Sequence, residues 1–282
     1  MALTINTNLS SLIVQKNLTS ATNSLNSSIE RMTTGLKINH AVDNAAGFSI
    51  ATNWKTQLGS LDIAAQNISM GIDLLTTAED NYSLLTTHLQ RIRDLTEQAA
   101  NGTYGSVSRS AIKQEITARL DEIDRISQGV EYNGIDLMKG MDGNLQLQVG
   151  ITQNHAVSQI SLSNTLFAKS TATALLGVAS KDTFATNCIG TSASAQLATL
   201  DTALSNISNR VTQLGAAQNR LQSAQSSNNV QIQNLTSSLS TLRDSDVASE
   251  SSRYIQAQIL QQAASTLLAT ANQTPSIALN LL

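Results

Sequence analysis

The sequence predicts a mostly α-helical protein: a long antiparallel coiled coil or helical bundle with a small β-hairpin element and paired N- and C-terminal helices. Three observations predict it. Apolar ladders at coiled-coil spacing run from Leu61 to Ala99 and from Leu197 to Leu242. A repeat near 3.5 residues keeps one seam turned toward a partner helix. Each ladder continues outward into a terminal segment rich in Asn, Ser, Thr and Gln, so the chain climbs one helix, returns on another and brings its ends together. The 282 residues include one Pro, 3% aromatic and 13% charged residues. Interior Pro breaks helices at about 3 kcal/mol, so its scarcity suits long ones, and few rings argue against a thick globular core.

The first segment places Leu9, Leu12, Ile13, Leu18, Ala21, Leu25, Ile29 and Met32 near helical spacing. Gly35 is a natural stop, because Gly takes the left-handed position that ends helices. Residues 35–44 read as a linker, with Asp43-Asn44 placed to cap the second helix. That helix carries the cleanest ladder: Leu61, Ala65, Ile68, Ile72, Leu75, Ala78, Tyr82, Leu85, Leu89, Ile92 and Leu95 step by three or four. Asn101-Gly102 and Gly105 end it. Ser106 or Ser108 is the expected cap of a third helix, with Ile112, Ile116, Leu120, Ile123 and Ile126 on one face.

The period then changes. Asn133-Gly134 signals a turn. Leu145-Gln146-Leu147-Gln148-Val149 alternates as a half-buried strand does, and Asp142-Gly143 suggests a hairpin pairing it with 135–138. Residues 157–162 form a weaker strand candidate. Residues 168–193 are small, polar and patternless, and are expected to be a surface excursion carrying Cys188 on the outside. The return ladder holds Leu197, Leu200, Leu204, Ile207, Val211, Leu214, Leu221, Ile232, Leu235, Leu239 and Leu242, and weakens across 225–229. Arg243-Asp244-Ser245-Asp246 reads as a linker and cap. The last helix has a broad stripe of Ala257, Leu260, Ala264, Leu267, Leu268 and Ala271. Pro275 calls for a kink or a fresh start, and the tail 277–282 is apolar.

Chemistry is sparse. His40, His88 and His155 are scattered without metal-ligand spacing, and there is no Cys pair, phosphate loop or nucleophile elbow. No catalytic, cofactor-binding or metal residues are expected. Asp121, Glu122 and Asp124 beside Arg119 and Arg125 fit an ion-paired helix face better than an acid/base pair. Cys188 has no nearby base and reads as a plain thiol. A net charge of -3 makes no electrostatic case for nucleic acid. No apolar run reaches 18 residues, so no membrane insertion is expected. The start, Met1-Ala2-Leu3-Thr4-Ile5-Asn6, lacks the basic, then apolar character of a cleaved signal.

Several ordered blocks resemble bacterial flagellin. They are Met1-Ala2-Leu3-Thr4-Ile5-Asn6-Thr7-Asn8 with Ser11-Leu12; Ser27 through Asn39 with Asp43-Asn44-Ala45-Ala46-Gly47; and Leu89-Gln90-Arg91-Ile92-Arg93-Asp94-Leu95. Next come Glu115-Ile116, Glu122 through Ile126, and Tyr132-Asn133-Gly134. Near the end stand Gln218-Asn219-Arg220-Leu221, Asp244-Ser245-Asp246, Gln258 through Ala263, and Ala269 through Pro275. The chain departs from the family pattern at His40, Phe48, Trp54 and Cys188.

The resemblance implies five segments. Residues 1–44 form an inner-core helix and linker, and 45–140 the long helices of a surrounding layer. A β-hairpin and a reduced outer region fill 141–194. Residues 195–243 are the return helix of the layer, and 244–282 a C-terminal inner-core helix. It implies a subunit that self-assembles into a helical homopolymer, the extracellular flagellar filament of motility, after unfolded export through the flagellar type III apparatus. Implied partners are an export chaperone at the C-terminal helix, hook-junction and cap proteins, and a host Toll-like receptor. Leu89, Gln90, Arg91, Ile92 and Leu95, with Glu115 and Arg119, match the surface the family presents to that receptor and to neighbouring subunits. A hook–filament junction protein is the alternative within assembly; a secreted coiled-coil translocator is the alternative from another class.

Overall fold

The computed structural model describes residues 7–190 and 192–280, the last seven of these by backbone only. The opening residues 1–6 and the side chains of the apolar tail therefore lie outside the described residues. Eight α-helices and four short strands are described: α1 (Leu9–Thr34), α2 (Ala45–Ala100), α3 (Ser106–Gly129), β1 (Glu131–Tyr132), β2 (Ile135–Asp136), β3 (Leu145–Gln148), α4 (His155–Ser158), β4 (Gln159–Leu162), α5 (Ala172–Leu176), α6 (Lys181–Cys188), α7 (Ala193–Arg243) and α8 (Val247–Asn280). They divide into two units, one of 1–58 with 233–282 and one of 59–232.

In the first unit α1 packs antiparallel on α8. Asn8 caps α1 through the Ser11 amide (3.0 Å), and Gly35 ends it at φ 71° with its N–H on the Arg31 carbonyl. The pairing runs from Asn8 Nδ2 on the Ala271 carbonyl (2.7 Å), through Gln261 Nε2 on Thr22 Oγ1 (3.2 Å), to a bridge between Leu36 and Asp244. The linker is fastened by backbone. Lys37 N donates to the Arg243 carbonyl at 2.7 Å, and Arg243 Nε donates to the Ile38 carbonyl at 2.9 Å. Of the two expected caps of α2, Asn44 serves, accepting from the Gly47 amide at 2.8 Å. Asp43 instead closes the linker, accepting from the Asn39 and His40 amides. Gly47 is closely approached: a Cβ there would lie 2.9 Å from Ile38 Cδ1, so that side-chain tip would have to shift. Phe48 lies 5.9 Å beneath the Arg243 guanidinium, and His40 Nε2 meets Glu30 Oε1 at 2.7 Å, so two departures from the family pattern make local contacts. Asp246 caps α8 through the Ala248 amide at 2.9 Å. α8 runs on through Pro275 without a fresh start.

The second unit holds the core. Ile68, Leu75, Ala78, Tyr82, Leu85, Leu89, Ile92 and Leu95 of α2 are buried against Ile116, Leu120 and Ile123 of α3 and Leu200, Ile207, Leu214 and Leu221 of α7. The α2 ladder read from spacing is therefore its seam. Where the return ladder weakens, Asn228 is buried and donates to the Leu61 carbonyl at 3.2 Å, which satisfies its amide. α3 starts at Ser106 after Gly105, which has no side chain to cap it, so the expected serine cap is not used.

The structure corrects three expectations. First, β3 pairs with β4, not with 135–138. The register puts Leu145 opposite Leu162 and Leu147 opposite Ile160, apolar pairs on one face. Residues 135–136 pair instead with β1 across the Asn133-Gly134 turn, whose φ values of 49° and 79° are the left-handed pair a tight hairpin needs. Leu137 and Met138 are fully buried in the helical core and so cannot serve an outer hairpin. Second, 168–193 is not a surface excursion. Leu175, Leu176, Phe184, Ala185 and Cys188 enter the main core. Asp124 anchors the segment, accepting from the Ala172 amide at 2.8 Å and from Lys181 Nζ at 3.3 Å, while Lys181 also pairs with Asp121. Third, Cys188 is fully buried rather than outward.

Candidate assembly and recognition surfaces

Two surfaces stand out. The first lies along α1 and α8. Among the described residues of this unit, the buried apolar side chains are Ala21, Ile38, Ala51, Ala257 and Ala264. The seam is thus built largely of alanine, and small residues bury little area. The larger residues stay in water: Leu9 is 64% exposed, Leu12 and Ile13 53%, Ile255 53% and Ile259 59%. At 100° per residue, Leu9, Leu12 and Ile13 point away from the side of α1 that carries Ala21 and Leu25. Ile255 and Ile259 likewise point away from Ala257 and Ala264. An open groove of about 860 Å³ also runs between the helices, lined by Val14, Ala21, Leu260, Ala264 and Leu267 and ended by Arg31, Glu250 and Arg253. Glu250 is buried there and accepts from Arg253 at 3.5 Å.

The second surface joins α2 to α3. Leu89, Ile92 and Leu95 are buried in the seam, and only Gln90, Arg91, Glu115 and Arg119 of the seven matching residues reach solvent. Arg91 and Leu95 are four apart, yet Leu95 is 2% exposed, so the two do not project together. Arg91 grips Glu115 with both fork nitrogens, Nε to Oε1 at 2.9 Å and Nη2 to Oε2 at 3.3 Å. Arg119 Nη2 lies 3.8 Å from the same Oε1. The Glu115 hydrogen bond holds the Arg91 charge more firmly than usual, raising its pKa. Arg93 reaches Asp201 on α7 at 2.7 Å.

Spacing alone does not single out His88, whose Nδ1 lies 3.4 Å from Arg119 Nη1. The one signal in the sequence is its place one residue before Leu89, beside the seam. The acidic cluster on α3 is ion-paired: Glu122 with Arg125, and Asp121 and Asp124 with Lys181. Burial pushes the Cys188 thiol up to about 11, against a hydrogen bond with Thr96 that lowers it. Among the described residues, no group of three His, Cys, Asp or Glu is placed to hold a metal ion, and no helix is long and apolar enough to cross a membrane.

Known proteins share this arrangement of long terminal helices. The family model for the bacterial flagellin N-terminal helical region matches residues 5–142, and that for the C-terminal helical region matches 197–282. Polar flagellin F of Vibrio parahaemolyticus is 31% identical over all of both chains. The flagellar filament 30.7 kDa core protein of Treponema maltophilum is 32% identical over 95% of each. A solved structure from Vibrio parahaemolyticus, described as a putative flagellar hook-associated protein, covers 72% of this chain and all of its own at a TM-score of 0.60; at 14% identity the likeness concerns the fold alone. With matched regions at both ends and full-length relatives above 30% identity, the chain belongs to the bacterial flagellin family.

Proposed function

We propose that this flagellin is the repeating structural subunit of an extracellular flagellar filament, not an enzyme. The observation that carries the reading is the outward apolar face of α1 and α8. Covering a Leu or Ile side chain is worth about 1.5–3 kcal/mol. Several such side chains on each helix supply a large driving force once neighbouring copies cover them, because whatever binds only the folded form stabilises it. Seeded polymerisation of purified monomer, viewed by electron microscopy, tests this. Long filaments support it. Polymers that stop short favour a junction role, and a monomer indifferent to seeds overturns the filament reading.

The same reading includes unfolded export through the type III apparatus, with a chaperone on the C-terminal helix and with cap and hook-junction proteins as further partners. It assigns Gln90, Arg91, Glu115 and Arg119 to recognition, both by neighbouring subunits and by a Toll-like receptor. Leu89, Ile92 and Leu95 then serve that face indirectly, by holding α2 against α3. A planar guanidinium with a fixed fork suits a carboxylate on a partner.

A further inference from the structure

The α2–α3 face carries a titratable group in a position to control it. Arg119 bridges two neighbours, His88 at 3.4 Å and Glu115 at 3.8 Å, and Glu115 in turn holds Arg91. Guanidinium has donors and no acceptor, so the contact with Nδ1 requires a neutral ring that offers a lone pair there. Protonation converts Nδ1 to a donor and sets two cations against each other. Glu122 is the nearby carboxylate that a charged ring can turn to, at present paired with Arg125 at 2.5 Å. A cavity of about 300 Å³ bordered by His88, Glu122 and Arg125 gives the ring room to turn.

We propose that His88 is an acid-sensitive latch: its neutral ring holds Arg119 in the Glu115–Arg91 cluster, and its protonation releases Arg119 and weakens recognition of the next subunit at this face. The proposal rests on the filament reading. The charged groups acting on the ring are Arg119, Glu122 and Arg125 from α3. Burial, then Arg119, hold the ring below the ordinary histidine value of 6.5, Glu122 pulls it up and Arg125 pulls it down. The latch is therefore closed at neutral pH and opens on acidification.

The test has two arms on the full chain. In monomer, NMR follows the His88 ring, assigned by its loss in His88→Gln, and the Arg119 guanidinium resonance. Both are expected to shift together, at a pH below 6.5. In the second arm, seeded growth of wild type is expected to slow several-fold across the same interval. His88→Gln, which keeps an acceptor and cannot titrate, is expected to grow evenly. His88→Lys, a fixed cation, is expected to grow at neutral pH as wild type does in acid. A ring midpoint at or above 6.5, an Arg119 resonance that ignores it, or a His88→Gln variant with the wild-type acid response overturns the latch. Wild type that never polymerises overturns the filament reading, and the NMR arm then decides the latch on its own.

Discussion

The unit of 1–58 with 233–282 and the unit of 59–232 use the same helical spacing to different ends. In the second, Leu, Ile, Tyr and Phe side chains fill the seam, and most of its ladder is fully buried within one chain. In the first, alanines fill the seam, and the leucines and isoleucines at comparable spacing lie on the outside. The lesson is that a ladder shows which residues want cover, while the size of the residues actually covered shows whether the chain covers itself. One unit covers its own apolar ladder. The other leaves large apolar side chains exposed.

The harshest way to break that comparison is to delete 247–282. α1 then loses the helix it packs on, while the buried core cluster from Ile68 to Leu221 includes no residue of that segment. The expected product is a soluble helical monomer whose main melting transition is unchanged and which forms no filaments at all. Normal filaments from this chain would show that α8 is dispensable.

Paired truncations sharpen it. Leu89→Ala removes a fully buried side chain from the seam and is expected to cost about 2–5 kcal/mol of monomer stability. Ile259→Ala removes a side chain that is 59% exposed and should change monomer stability by no more than about 0.5 kcal/mol, while slowing filament growth. Denaturant melts and seeded growth on both proteins check this. Equal losses of stability would erase the distinction between the units.

Cys188 probes the core of the second unit more gently. Since it is fully buried, a maleimide should leave it untouched in native monomer and in filaments, and label it only after unfolding. Its raised pKa also has a direction. The unfolded thiol ionises near its ordinary value of 9.0, the folded one at about 11, so the folded chain keeps the proton longer. Stability should fall as pH rises through that interval and be indifferent to Cys188 below it. A Cys188→Ser or Cys188→Ala chain with the same alkaline loss would contradict the assignment.

Arg91→Ala carries the smallest expected effect on folding. Its ion pair with Glu115 is solvent-exposed, and such pairs add little to stability. Helicity and melting should match wild type, with filament growth or receptor activation reduced. A folded variant with both intact would mark Arg91 as an ordinary surface charge.

Spacing makes the long helices legible, because a three-and-four step sustained from Leu61 to Leu95 matches neither the period of a strand nor the irregularity of a loop. It also places Gly35, Asn133-Gly134 and Asp246 at the turns and caps where they stand. Short elements are harder to see. α5 and α6 have five and eight residues, too few for a periodic pattern, and their cue is only Leu175-Leu176 and the four-residue step from Phe184 to Cys188. The strand partner of β3 is obscured because Asp142-Gly143 makes a near hairpin attractive; burial of Leu137 and Met138 decides against it. Of the residues proposed for recognition, the resemblance names Arg91, Glu115 and Arg119, which the fold brings into one cluster. His88 emerges only when α3 is laid beside α2, since no local motif connects positions 31 residues apart.

On the proposed filament reading, neighbouring copies cover the apolar face that α1 and α8 leave exposed. Amide hydrogen exchange, compared between monomer and seeded filament, tests this most directly. Weak protection of α1 and α8 is expected in monomer, strong protection in filaments, and high protection of the α2 seam from Ile68 to Leu95 in both. Protection of α1 and α8 that is already equal to the seam in monomer, or unchanged on assembly, would contradict it.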